Sequence, residues 1–309
     1  MTTVTARRPG ARRGLATPWL MLIPAIVLFV LFFAAPIVYT LVLSFQKSQV
    51  NGLGLGSGAR STVFAGFENY VASLTDADFL ASVARVAVYG LILIPTMLGL
   101  ALLFALLLDS KRTRARGFSR VTIFLPYAVP AVISSLLWGF LFLPSVSPFF
   151  DMADAVGIQL PDLLSGDAVI VAIANIALWG GVGFNMVVMY TSLKAIPTDI
   201  YEAAKLDGAS EIQIALRIKI PIIMPSLIMT AIFSIIATLQ VFSEPVTLKP
   251  LSNSISSTFT PLMTVYRDAF TRNDVYAASA TSIIIAVAIF ALSFLFLRVV
   301  QRRAFGGEN

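Results

Sequence analysis

Six long stretches of the chain lack Asp, Glu, Lys and Arg: 14–46, 86–108, 121–150, 168–193, 220–243 and 275–297. Each is continuously apolar and long enough for a membrane-crossing helix, which needs roughly 20 apolar residues. None shows the apolar–polar alternation over about 10 residues that marks a barrel strand. A seventh uncharged stretch, 250–266, reads PLSNSISSTFTPLMTVY. It is too short and too rich in Ser and Thr to span. The pattern predicts an all-α membrane protein with six transmembrane helices. The third is expected over 121–143, joined to the second by the basic DSKRTRARGFSR.

The connecting segments divide the chain. Residues 1–16 form a basic tail, 17–300 the membrane domain, and 301–309 a second tail. The loop 47–82 opens with NGLGLGSG, expected to be flexible, and closes on a short helix. The segment 244–274 is expected to re-enter the membrane or lie across the helix ends. Prolines at 24, 36, 95, 126, 130, 221 and 225 fall within or beside the apolar runs, where they kink helices.

Charge sets the orientation. Sixteen Lys and Arg flank the spans on the side shared by both tails, 109–120 and 194–219, against six on the other side. Cytoplasmic flanks carry such an excess, so both termini are expected in the cytoplasm of a multi-pass inner (plasma) membrane protein. The first apolar run is too long for a cleaved signal. The net charge of +6 follows from these flanks, and no nucleic-acid partner is expected.

Composition narrows the chemistry. The chain is 58% hydrophobic and 12% charged, with no Cys and no His. Soluble domains carry about 25% charge. Thiol catalysis, imidazole acid–base chemistry and Cys-held zinc are excluded. There is no GxxxxGK[ST] phosphate loop, so ATP hydrolysis is not expected in this chain.

The strongest local signal lies in PTDIYEAAKLDGASEIQIALRIKIP at 197–221. Asp199 and Glu202, then Ser210 and Gln213, have capping-box spacing. Gly208 between them suits a helix end. The segment predicts helix, glycine turn, helix, then a span entered at Pro221. Tyr201, Ala204 and Leu206 give the first helix a partly apolar face.

The spacing of Glu202-Ala203-Ala204, Gly208, Ile218 and Ile220-Pro221 resembles the EAA loop of ABC-importer permeases, with Ile220 where Leu is usual. Phe64-Ala65-Gly66-Phe67-Glu68-Asn69-Tyr70 resembles the FxGLxNY segment of maltose-transporter-like carbohydrate permeases. Arg116-Gly117, Leu125-Pro126 and Pro130 resemble the entry to their third helix. The resemblance covers roughly 18–300. One region departs: Phe242-Ser243-Glu244-Pro245 leads on with no Gly-Gly-Pro.

The resemblance implies a type I importer permease with a cytoplasmic coupling helix in the loop 194–220. Glu202, Ala203, Ala204, Gly208, Ile218 and Pro221 would couple to the ATPase. Its partners would be a second, different permease, two ATPase subunits carrying ATP and Mg, and an external solute-binding protein. The chain itself would be no enzyme and hold no cofactor or metal. The solute would be a sugar or a related polar molecule, with glycerol phosphate an alternative. Asn175, Trp179, Asn185 and Gln240 are candidates for the sugar path, since amides and aromatic rings bind sugars. Trp138 lies near them in sequence, and Glu244 is expected at the outer membrane edge. An ion-coupled secondary transporter is the competing reading. It would show repeats and intramembrane carboxylates, and neither stands out. A membrane enzyme is a third reading, without a carboxylate pair in the spans to support it.

Overall fold

A computed structural model describes residues 16–50, 60–110 and 113–305. The elements in order are α1 (Ala16–Phe29), α2 (Ala35–Ser44), β1 (Gln46–Val50), β2 (Arg60–Phe64), α3 (Glu68–Thr75), α4 (Ala77–Asp109), α5 (Arg116–Phe124), α6 (Ala131–Phe142), α7 (Pro148–Ala155) and α8 (Val169–Lys194). They continue as α9 (Thr198–Leu206), α10 (Glu211–Ile214), α11 (Ile220–Ile222), α12 (Met224–Leu239), α13 (Ser243–Leu248), α14 (Pro261–Tyr266) and α15 (Val275–Phe305). Five helical stretches among the described residues are long and apolar enough to cross a membrane. The bent pair α5 and α6 makes a sixth. The expected count of six spans therefore holds when that pair is taken as one. The tail 1–15, most of NGLGLGSG, Lys111 and Arg112 lie outside the described residues.

The third span is not the single helix expected over 121–143. It bends by 97° between Ala128 and Ala131. Pro130 has no N–H to continue the ladder, and its ring drives Val129 to an extended ψ of 125°. The fifth apolar run is divided as well. α12 stops at Leu239, Phe242 has φ −146°, and the chain restarts as α13. Other prolines are absorbed: Pro221 and Pro225 occupy first helical turns, where no N–H is needed.

A two-stranded antiparallel hairpin, with Gln46 opposite Phe64, corrects the loop expected there. The following segment clasps it to the first span. Asn69 Nδ2 donates to the carbonyls of Ser44 (2.9 Å) and Gln46 (2.7 Å), which α2 leaves without helical partners. The rings of Phe67 and Tyr70 each lie 5.4 Å from that of Phe45. Much of the Phe-x-Gly-x-x-Asn-Tyr pattern thus has a local structural task. α15 runs through Gln301, Arg302 and Arg303, which favour helix, to Phe305.

The core forms where α4 meets α8. Ala101 and Ala105 of α4, both fully buried, face Met186 and Met189 of α8. Lipid supplies no hydrophobic drive between helices, so such packing rests on close van der Waals contact allowed by small residues. Gly183 shows the limit: a Cβ there would sit 2.2 Å from the Ile123 carbonyl oxygen, so only glycine lets α5 lie on α8. A second buried cluster, with Val86, Phe142, Leu248 and Phe259, closes the opposite end. There, α13, α14 and the chain between them fold over the helix ends. Arg85 donates to the carbonyls of Thr258 and Phe259 (3.1 and 2.9 Å), and Arg267 pairs with Asp268 at 2.9 Å. α1 and α2 are the opposite case: among their described side chains only Ser44 is buried.

Candidate functional site

Two places combine unusual backbone with concentrated polar chemistry. The first is the α9–α10 loop. α9 begins at Thr198, with Pro197 in the cap position and no side-chain cap. The expected Asp199–Glu202 box is therefore not formed. Pro197 is held extended, at ψ 136°, and Asp199 falls inside the first turn, where its charge still suits the helix dipole. The end of α9 is a complete Schellman turn. Gly208 N–H donates to the Lys205 carbonyl and Ala209 N–H to that of Ala204, both at 3.0 Å. Gly208 has φ +81°, a conformation that costs other residues roughly 1–2 kcal/mol. Ser210 and Gln213 then form the full capping box of α10.

This helix pair is seated by one face only. Tyr201 packs against the Met186–Met189 cluster. Lys219, 8% exposed, places its ammonium 4.9 Å from the Tyr201 ring centre and 2.6 Å from Asp109 Oδ2. Lys194 reaches Asp109 Oδ1 at 2.7 Å. One carboxylate at the end of α4 thus ties together the end of α8, the entry to the fifth span and, through the Tyr201 ring, α9. Burial, then the Asp109 charge, push the Tyr201 hydroxyl up to about 12, so the ring stays neutral. The other face is open: Glu202, Ala203, Gly208 and Pro221 are exposed, and Leu206 is 90% exposed beside exposed Ile212 and Leu216. Ala204 and Ile218 are half-buried.

The second place is a cavity of about 720 Å³, walled on one side by Tyr89, Leu93, Met97, Ile176 and Val241 of the second buried cluster. Both broken helices line it, through Pro126–Ala131 and Gln240–Glu244. Non-helical backbone at membrane depth persists only when buried in protein or facing a watery cavity. Asn185 and Gln240 are on the wall. The Asn185 amide nitrogen donates to the Gly181 carbonyl at 3.0 Å and to Met97 sulfur at 3.2 Å. Tyr127 stacks on Phe184 with centroids 4.9 Å apart. The Thr238 hydroxyl is buried without a partner. Asn175 and Trp179 do not line the cavity. They share another stripe of α8, on which Trp179 meets Trp138 edge-on at 6.0 Å.

Residues 97–306 match the family of binding-protein-dependent transport system inner membrane components. The chain belongs to this family. It is 28% identical over 294 residues to the sn-glycerol-3-phosphate transport system permease protein UgpA of Agrobacterium fabrum, covering 94% of this chain and 96% of that one. It is 29% identical over 258 residues to the diacetylchitobiose uptake system permease protein NgcF of Streptomyces coelicolor, covering 80% and 73%. Its fold is shared with a bacterial ABC transporter that imports the acidic polysaccharide alginate. The TM-score is 0.79 at 19% identity, over 92% of this chain and 95% of that one. The architecture is accordingly that of a type I importer permease, a transport component and not an enzyme.

Sequence reasoning missed three features of this inner-membrane component. The cluster of Asp109, Lys194 and Lys219 joins residues up to 110 positions apart. No local spacing announces it. Of the two helix breaks, one was signalled only by Pro126 and Pro130 among many prolines, and the one after Leu239 by none of them. Glu244, expected at the outer membrane edge, also stands on the cavity wall, a neighbourhood that the chain alone does not show.

Proposed function

We propose that this permease is one of two different membrane subunits of an ATP-driven importer for a sugar or related polar solute. An external binding protein delivers the solute, and a pair of ATPase subunits binds ATP and Mg in the cytoplasm. The exposed face of α9 and α10 is the ATPase contact, with Glu202, Ala203, Ala204 and Gly208 at its centre. Ile218 and Pro221 carry its motion into the fifth span, and both termini lie on the same cytoplasmic side. Asn185 and Gln240 face the solute, while Asn175 and Trp179 support the wall from behind. The membrane body extends over 17–300, with its coupling loop at 194–220.

The observation that carries this reading is the one-sided seating of the loop. Two short helices joined by a fully hydrogen-bonded turn, and the turn of chain after them, present Leu206, Ile212 and Leu216 outward while Lys219 and Asp109 bind the segment to three membrane helices. Exposed apolar side chains grouped in this way mark a protein contact. ATP-driven closure of the ATPase pair would then move helix ends as one body and switch the cavity between the two sides. The test is Glu202→Lys and Gly208→Trp in reconstituted complexes. Both variants should insert normally yet lose most substrate-stimulated ATP hydrolysis and uptake. Parental coupling in both would remove this loop from the mechanism.

A further inference from the structure

The names of the relatives leave open the charge of the solute, since one imports a phosphate ester and another a neutral disaccharide derivative. The cavity wall bears on it directly. Among the described residues that line it there is no Lys and no Arg, and Glu244 is its one charged side chain. Glu244 has no ion-pair partner among the described residues. Neither the cluster of Asp109, Lys194 and Lys219 nor Lys249, directly after α13, lines the cavity. Arg85 and Arg267 are engaged in the outer cover, with carbonyls and with Asp268. Glu244 falls within the apolar helical stretch Met224–Leu251, and an ionisable group in such a stretch is a candidate functional group.

What surrounds this carboxylate is suited to uncharged hydroxyl groups. Gln240, Asn185 and Ser243 offer amides and a hydroxyl, and the stacked Tyr127 and Phe184 offer ring faces. A carboxylate accepts strong hydrogen bonds from sugar hydroxyls. When ionised, the same group repels an anion, and more strongly in a confined passage than in water.

We propose that Glu244 is a specificity-determining residue which makes this cavity a passage for uncharged saccharides and closes it to phosphorylated or otherwise anionic ones. The proposal rests on the reading of the cavity as the solute path. Its test therefore separates the two. The complete complex, with the partner permease and ATPase subunits, is purified without the binding protein, whose own selectivity would mask that of the cavity. Equilibrium binding is measured for labelled diacetylchitobiose and for its 6-phosphate, one sugar with and without negative charge. The parent should prefer the neutral sugar by about tenfold or more, equivalent to 1.4 kcal/mol. Glu244→Gln should narrow the preference to about threefold or less, and Glu244→Lys should reverse it. Equal binding of both sugars by the parent overturns the proposal. So does an unchanged ratio in Glu244→Lys, or a failure of the complex to bind either sugar. Co-elution of the ATPase subunits and their hydrolysis rate report separately on the transporter reading and on the integrity of each variant.

Discussion

The fifth membrane helix carries a charged residue at each end, and the two are housed in opposite ways. At its entry, Lys219 is buried, held at 2.6 Å by Asp109 and covered by the Tyr201 ring. At its exit, past Leu239, the helix comes apart and Glu244 stands on a cavity wall with no counter-ion among the described residues. A buried charge with its partner fixed resists displacement, because separating the two exposes each to the full cost of burial. A charge left unpaired in a passage is available to whatever enters. Under the proposed function, one helix thus has a clamped end, suited to transmitting force, and an open end, suited to sensing a solute.

The most severe way to break this contrast is to remove the clamp's shared partner. Asp109→Asn leaves the Lys219 ammonium buried without a counter-charge and should cost about 3 kcal/mol, read as a lower unfolding temperature of the purified complex. Backbone strain ranks next. Gly208→Ala meets no neighbouring atom at its Cβ, yet must hold φ +81°. It should lose roughly 1–2 kcal/mol, visible as faster proteolysis of the 198–216 loop. Lys219→Met should be milder, about 1 kcal/mol, since Asp109 keeps Lys194. Combined with Asp109→Asn, it should recover most of the stability that the Asn change alone removes, and a double-mutant cycle measures this coupling directly. At the open end, Glu244→Gln should shift stability by no more than about 0.5 kcal/mol. A large destabilisation there would show Glu244 to be structural and would erase the contrast.

How far these regions can be read from the chain alone differs for the same physical reason. The spans are legible because each is a continuous apolar run. The α9–α10 loop is legible because caps act over three or four residues. Even so, two segments with the same capping spacing behave differently. Ser210 and Gln213 close their box, while Asp199 and Glu202 do not, because Pro197 takes the cap position and shifts Asp199 into the helix. The clamp is not legible. Asp109 and Lys219 are 110 residues apart, and only the packing of α4, α8 and the fifth span brings them together. The cavity is intermediate. Prolines 126 and 130 announce a possible break, but nothing near Gln240 distinguishes its break from a kink until the wall itself is seen. Asn175 and Asn185 illustrate the remainder, two amides on one helix of which only the second faces the cavity.

The back-to-back Schellman turn and capping box have a thermodynamic consequence for assembly. Ordering a flexible loop costs about 1–2 kcal/mol per residue in backbone entropy. The satisfied end of α9 and start of α10 mean that this ordering accompanies folding of the chain itself rather than docking. Association with the proposed ATPase partner should then have the calorimetric signature of rigid bodies: a modest negative heat-capacity change set by the apolar area of Leu206, Ile212 and Leu216, without the large term that accompanies coupled folding.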